Sequence, residues 1–147
     1  MELQIKDNFI PNIGISKLKF LDNELIIKEK IGIPNHERID VNDSEDYTIN
    51  LFYESLGIYC FIHYENSTFS YTSFHLKNLF INNIHLNNTT QKECLDFLKD
   101  YHTKLSIEYI VDVKGDDIEK VFFFENIGLT IWFSEFEISD ISIEPVW

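Results

Sequence analysis

The residues of this chain that could do chemistry are five histidines, two cysteines and a surplus of carboxylates. Imidazoles bind a metal when a second ligand falls at a fixed short spacing, as in HExxH or paired CxxC motifs. His36, His63, His75, His85 and His102 have no such companion. His75 and His85 are ten residues apart in strand-like surroundings, a spacing that fixes no geometry. Cys60 and Cys94 lie 34 residues apart, which fits neither a zinc pair nor a redox pair, and the expectation is two buried free thiols. "NIGIS" and "VKGDD" lack the pattern of a phosphate loop, and no GxSxG elbow is present. With 25 Asp and Glu residues a general acid–base pair could be proposed almost anywhere, and nothing selects one. The reading is therefore of a non-enzyme, with no catalytic residue, metal or cofactor.

The carboxylates do fall into two clusters. Asp40, Asp43, Glu45 and Asp46 lie in "DVNDSED", and Asp112, Asp116, Asp117 and Glu119 in "DVKGDDIE". The chain as a whole carries a formal charge of −13. Such a surface repels nucleic-acid phosphates and anionic lipid heads and attracts a basic partner. The opening "MELQIKDNFIPN" has no basic start followed by an apolar run, and no apolar stretch approaches membrane-spanning length. The expected location is the cytoplasm, with no contact with membrane or nucleic acid.

Two further stretches organise the chain. "LFYESLGIYCFI", residues 51–62, returns 71 residues later as "FFFENIGLTIWF", with Phe52/Phe123, Glu54/Glu125 and Gly57/Gly128 identical. A helix is expected before each copy. The first spans residues 21–32, started by Asp22 and stopped by Gly32 and Pro34, with Leu21, Leu25, Lys28 and Ile31 on one face. The second spans residues 89–104, opened by the capping box Thr90–Glu93 and striped by Cys94, Leu95, Leu98 and Tyr101. Four segments of period-2 alternation follow each helix. The expected fold is α+β: one domain of two tandem repeats, about 1–77 and 78–147. Each repeat is a short helix on an antiparallel meander, and the two form one extended sheet.

Alternation assigns the faces. Tyr47, Ile49, Leu51, Tyr53, Ile58, Cys60 and Ile62 should point inward, as should Ile118, Phe122, Phe124, Leu129, Ile131 and Phe133. Phe52, Tyr59, Phe61 and His63 should point outward with Val121, Phe123, Thr130 and Trp132. Side by side, Phe52, Tyr59, Phe61, Phe123 and Trp132 would make an aromatic patch of the kind that marks an interaction site. If a translation relates the repeats, both acidic clusters fall at one end and form a negative rim.

"LIIKEKIGIPNHE", residues 25–37, carries a short helix ending in Gly32-x-Pro34 before a meander. This resembles outer-membrane assembly lipoproteins of the SmpA/OmlA type. In tandem it is similar to the β-lactamase inhibitor protein family, whose two repeats form a concave sheet that clamps an enzyme. The second half has "KDYHTK" where the Gly-x-Pro would stand, and the disulfides and lipid-bearing Cys of those families have no counterpart. Small acidic proteins with a binding face and no chemistry also resemble the immunity proteins of bacterial contact-dependent toxins. That resemblance implies inhibition by occlusion of a basic toxin, such as a nuclease domain. The alternatives are an assembly module that homodimerises through the aromatic face, and an enzyme or ligand-binding domain with an unrecognised site.

Overall fold

The computed structural model describes residues 9–15, 17–81, 83–100, 107–113, 117–134 and 137–146. Three two-residue strands, β1 (Phe9–Ile10), β2 (Gly14–Ile15) and β3 (Leu18–Lys19), precede helix α1 (Glu24–Ile31). Four longer strands follow: β4 (His36–Val41), β5 (Tyr47–Tyr53), β6 (Ile58–Glu65) and β7 (Thr68–Leu76). A small hairpin, β8 (Phe80–Ile81) and β9 (Ile84–His85), leads to α2 (Gln91–Asp100). The chain closes with β10 (Ile107–Val113), β11 (Asp117–Phe124), β12 (Leu129–Ser134) and β13 (Glu137–Ile143). The fold class is α+β, and all eight expected strand segments are strands.

The eight long strands form one antiparallel sheet in the order β10-β11-β12-β13-β7-β6-β5-β4. Its two meanders meet where β13 pairs with β7, through Ile141↔Leu76, Ser142↔His75 and Ile143↔Phe74. A translation would have set β10 beside β7. The observed order instead relates the meanders by a rotation, because the last strand of each lies at the junction. Inward-facing Phe74, Leu76, Ile141 and Ile143 are buried there and carry the core across without a break. The β4–β5 and β10–β11 connections consequently sit at opposite ends of the strands and opposite edges of the sheet. The expectation of a single negative rim is corrected on this point.

One face of the sheet is covered. Ile27 and Ile31 of α1, Cys94 and Leu98 of α2, and Phe9, Leu18, Phe20 and Ile81 of the small strands and turns join Leu51, Cys60, Ile62, Phe122, Ile131 and Phe133 in a single core. Helix α1 lies differently from the stripe expected of it. Leu21 and Leu25 are about 70 % exposed, at 72 % and 71 %, and Ile27 takes the buried position. Its N-cap is Asn23, whose Oδ1 accepts from the Ile26 N–H at 3.1 Å. Asp22, expected in that role, is buried and tied elsewhere. Its Oδ2 accepts from the Lys19 N–H at 2.9 Å and from Lys30 Nζ at 2.7 Å, which fastens the last turn of the helix to β3. The capping box of α2 is present as expected: the Thr90 N–H donates to Glu93 Oε1 at 3.0 Å, and the Glu93 N–H to Thr90 Oγ1 at 3.2 Å. Tyr101 lies outside the described residues.

The two turns of the recurring stretch have one geometry. Glu54–Leu56 and Glu125–Ile127 are single 3-10 turns, closed by Gly57 at φ 69° and Gly128 at φ 65°. A side chain in this left-handed region costs on the order of 1–2 kcal/mol. At Gly128 a Cβ would also collide with the backbone oxygen of Glu144, whereas at Gly57 it would meet only the Lys77 side chain, 3.3 Å away. Gly57→Ala is therefore expected to cost about 1–2 kcal/mol and Gly128→Ala more than ~2 kcal/mol. Urea denaturation of the two variants checks the order, and equal losses would contradict it.

Candidate functional site

The period of two sends every second side chain of the long strands away from the helices. On this outer face β4 places His36, Arg38 and Asp40. The rungs beside them are Phe52, Asn50 and Thr48 on β5, then Tyr59, Phe61 and His63 on β6. Next come His75, Ser73 and Tyr71 on β7. Across the junction lie Ser142 and Asp140 on β13, Thr130 and Trp132 on β12, and Phe123 and Val121 on β11.

The rings touch in a chain. His36 stacks on Phe52 at 5.5 Å, and Phe52 meets Tyr59 at 5.3 Å and Phe61 at 6.3 Å. Phe61 meets His75 at 4.8 Å edge to face, and His75 stacks with Trp132 at 6.2 Å. The row crosses six strands, roughly 24 Å at the usual strand spacing. Phe52, Tyr59, Phe61 and Trp132 are each half-buried, as is Phe123, which stands on the same face opposite Thr130. All five aromatic residues singled out from the sequence thus share one face. His75 is the link that the sequence did not reveal. As an isolated histidine it carries no motif, and only the pairing of β7 with β13 brings it against Trp132.

Between the rings lies a polar layer. The His75 ring is 3.2 Å, through Nδ1, from Asp140 Oδ2; a carboxylate only accepts, so Nδ1 carries the proton. This ties β7 to β13 on the outer side. His63 stacks on Tyr71 at 4.3 Å, and its Nε2 lies 3.0 Å from Ser73 Oγ. The Arg38 guanidinium lies 5.4 Å from the centre of the Phe52 ring. Asn50 is 1 % exposed; its amide donates to Asp40 Oδ2 at 2.7 Å, while its Oδ1 has no partner among the described residues. An orphaned buried acceptor costs about 1–3 kcal/mol. Val121, expected outward, does lie on this face yet is fully buried.

The acidic residues divide by role. Asp40 is a strand residue, paired with Arg38 at 2.9 Å and with Asn50. Asp43 Oδ1 accepts from the Glu45 and Asp46 N–H groups at 2.9 and 3.1 Å, and these bonds hold its carboxyl below the usual range. Asp46 Oδ1 accepts from the Asn66 N–H and the Glu45 carbonyl from the Ser67 N–H, so the β4–β5 loop is strapped to the β6–β7 turn. Beside this loop a cleft of about 260 Å³ opens, lined among others by Asn42, Asp46, Thr48, His63 and Glu65. Asp112 lies on β10 and Asp117 and Glu119 on β11, with their side chains outside the described part. Asp116 and His102 lie outside the described residues.

Cys60 and Cys94 are free and buried, as expected. Burial raises both thiols, that of Cys94 to about 11, so neither supplies a thiolate at neutral pH. Among the described residues no group of three His, Cys, Asp or Glu is placed to hold a metal ion, and no helix is long and apolar enough to cross a membrane.

Comparison with protein-family models, curated protein sequences and solved structures found no match.

Burial lowers the pKa of His63, so the fold favours its neutral ring. A histidine with a depressed folded pKa contributes no penalty above its unfolded value, about 6.5, and destabilises progressively as pH falls below it. Glu144 is raised by burial and acts with the opposite sign at lower pH. The difference between wild type and His63→Gln therefore isolates the histidine. Wild type should lose urea midpoint between about pH 7 and pH 5.5 relative to the variant, and parallel profiles would exclude this coupling.

Proposed function

We propose that the chain is a protein-binding protein without catalytic activity, an immunity protein that neutralises a basic toxin by covering its active site. The observation that carries this reading is the half-exposed aromatic row from Phe52 through Phe61 to Trp132 on the outer sheet face. Aromatic anchors on a rigid surface supply most of the affinity of a protein interface. The rings hold one another in place, which lowers the ordering cost of binding. Charge supports a basic partner: at −13 the chain accelerates encounter with a positively charged target. The strapped β4–β5 loop, with Asp46 and Glu65 lining the adjacent cleft, suits a lysine or arginine side chain. The cytoplasm is where such a protein meets an incoming nuclease toxin.

We infer also that the chain is a tandem duplication joined near residues 77–78, its sheet extended by doubling one meander. Supporting this, left-handed backbone recurs at Asn12 and Asn83 and at Gly57 and Gly128, and both pairs are 71 residues apart (83 − 12 and 128 − 57). The glycine N–H donates to the glutamate carbonyl three residues back in both copies, at 3.2 and 3.3 Å. The β6–β7 and β12–β13 pairings each contain a bulge.

The test is co-expression with a toxin encoded beside this chain, followed by calorimetric titration of the pair. Protection and binding are expected. Trp132→Ala and Phe61→Ala should each weaken binding at least about thirtyfold, equivalent to a hot-spot loss of ~2 kcal/mol. Raising salt should slow association. Binding untouched by both substitutions would move the interface off this face, and absence of protection would overturn the immunity reading. A dimer broken by Trp132→Ala would favour homodimerisation through the aromatic face instead.

A further inference from the structure

Strand β4 ends the sheet with its outer edge unpaired among the described residues, and all six of its residues are exposed. Unpaired edges recruit strands, and proteins that stay monomeric blunt them with prolines, bulges or repulsive charge. This edge has no proline, and its register with β5 runs unbroken from His36↔Phe52 to Val41↔Tyr47. On the helix side it exposes Ile39 at 59 % and Val41 at 65 %. On the outer side it alternates signs, with Arg38 and Asp40 two residues apart.

We propose that β4 is the joint of a homodimer, in which two copies pair antiparallel about a two-fold axis through Ile39. Charge selects the register. Antiparallel partners share a face, so a pairing that keeps the two outer faces on one side joins residues whose numbers sum to an even value. Centring on Arg38 sets arginine against arginine, and centring on Asp40 sets aspartate against aspartate. Centring on Ile39 sets Arg38 against Asp40 of the second copy, twice, and Ile39 against its own mate. Opposite charges directly across a ladder stabilise and like charges oppose. The joint repeats a device already used within the chain, where β7 and β13 are joined antiparallel about a local rotation. The product is a sixteen-stranded sheet with both aromatic rows on one side. Long-range repulsion between chains of −13 opposes assembly, so moderate salt favours it.

Sedimentation velocity over a wide concentration range, at about 0.15 M salt, tests the joint. Wild type should sediment as a concentration-dependent dimer. Asp40→Arg should weaken it on the order of tenfold or more, and the exchange Arg38→Asp with Asp40→Arg should restore it. Asp40 also holds Asn50, so Ile39→Lys, which sets like charges at the axis and leaves that bond intact, provides a second variant. It too should give monomer with an unchanged circular dichroism spectrum. A wild type that is monomeric throughout, a dimer indifferent to Asp40→Arg and Ile39→Lys, or a charge exchange that fails to restore would each overturn the proposal. A dimer dissolved by Trp132→Ala alone would place the joint on the aromatic face.

Discussion

Three residue pairs between β7 and β13 decide most of what this molecule can present to a partner. On the inner side they close the core with Phe74, Leu76, Ile141 and Ile143, all buried. On the outer side they bring His75 against Trp132 and within reach of Asp140. Without that pairing the aromatic residues of the two meanders would be two separate patches. The same pairing is antiparallel, which sends the two acidic connections to opposite corners.

Local structure was legible in the sequence where short-range chemistry decides it. The Thr90–Glu93 box closes within one turn of helix and needs nothing distant. The turns at Gly57 and Gly128 follow from the residue that tolerates their φ at least cost. Period-2 alternation placed Phe52, Tyr59, Phe61, Phe123 and Trp132 on one face because a strand has only two faces to offer. What the sequence could not supply was long-range. Whether β7 meets β10 or β13 depends on which edge buries more apolar surface, and no local pattern encodes that. The roll of α1 departs from its sequence pattern for a related reason. Asn23 and Asp22 both have capping chemistry, and the choice fell to Asn23 because Lys30 and the Lys19 N–H claim the Asp22 carboxylate.

Net charge by itself misleads about the site. Of the acidic residues near the first corner, Asp43 holds its own loop and Asp40 is committed to Arg38 and Asn50. These groups carry negative charge into the local field, but their hydrogen-bonding capacity is largely spent on the fold. In the proposed complex, charge would act at a distance, on encounter and orientation, and the rings on contact. The surface near Phe52 also bears the Arg38 guanidinium, itself paired with Asp40, so the aromatic row runs from one ion pair at β4 to the His75–Asp140 pair at its centre.

The outer face is neither a second core nor an ordinary wet surface, and its middle character follows from how the residues alternate along the rungs. Small polar side chains, Asn50 and Ser73, are almost fully buried, while their ring neighbours Phe52, Phe61 and His75 remain half-exposed. The rings have settled over the polar rungs and over one another, which removes the rotamer freedom that exposed aromatics would otherwise lose on binding. The unpaired Asn50 acceptor is the cost of this arrangement. An apolar residue there would relieve it, but it would also release Asp40 from β5 and loosen the edge strand beside Phe52. A protein selected only for stability has reason to make that exchange. One selected to hold a flat aromatic surface ready for contact has reason to keep the asparagine.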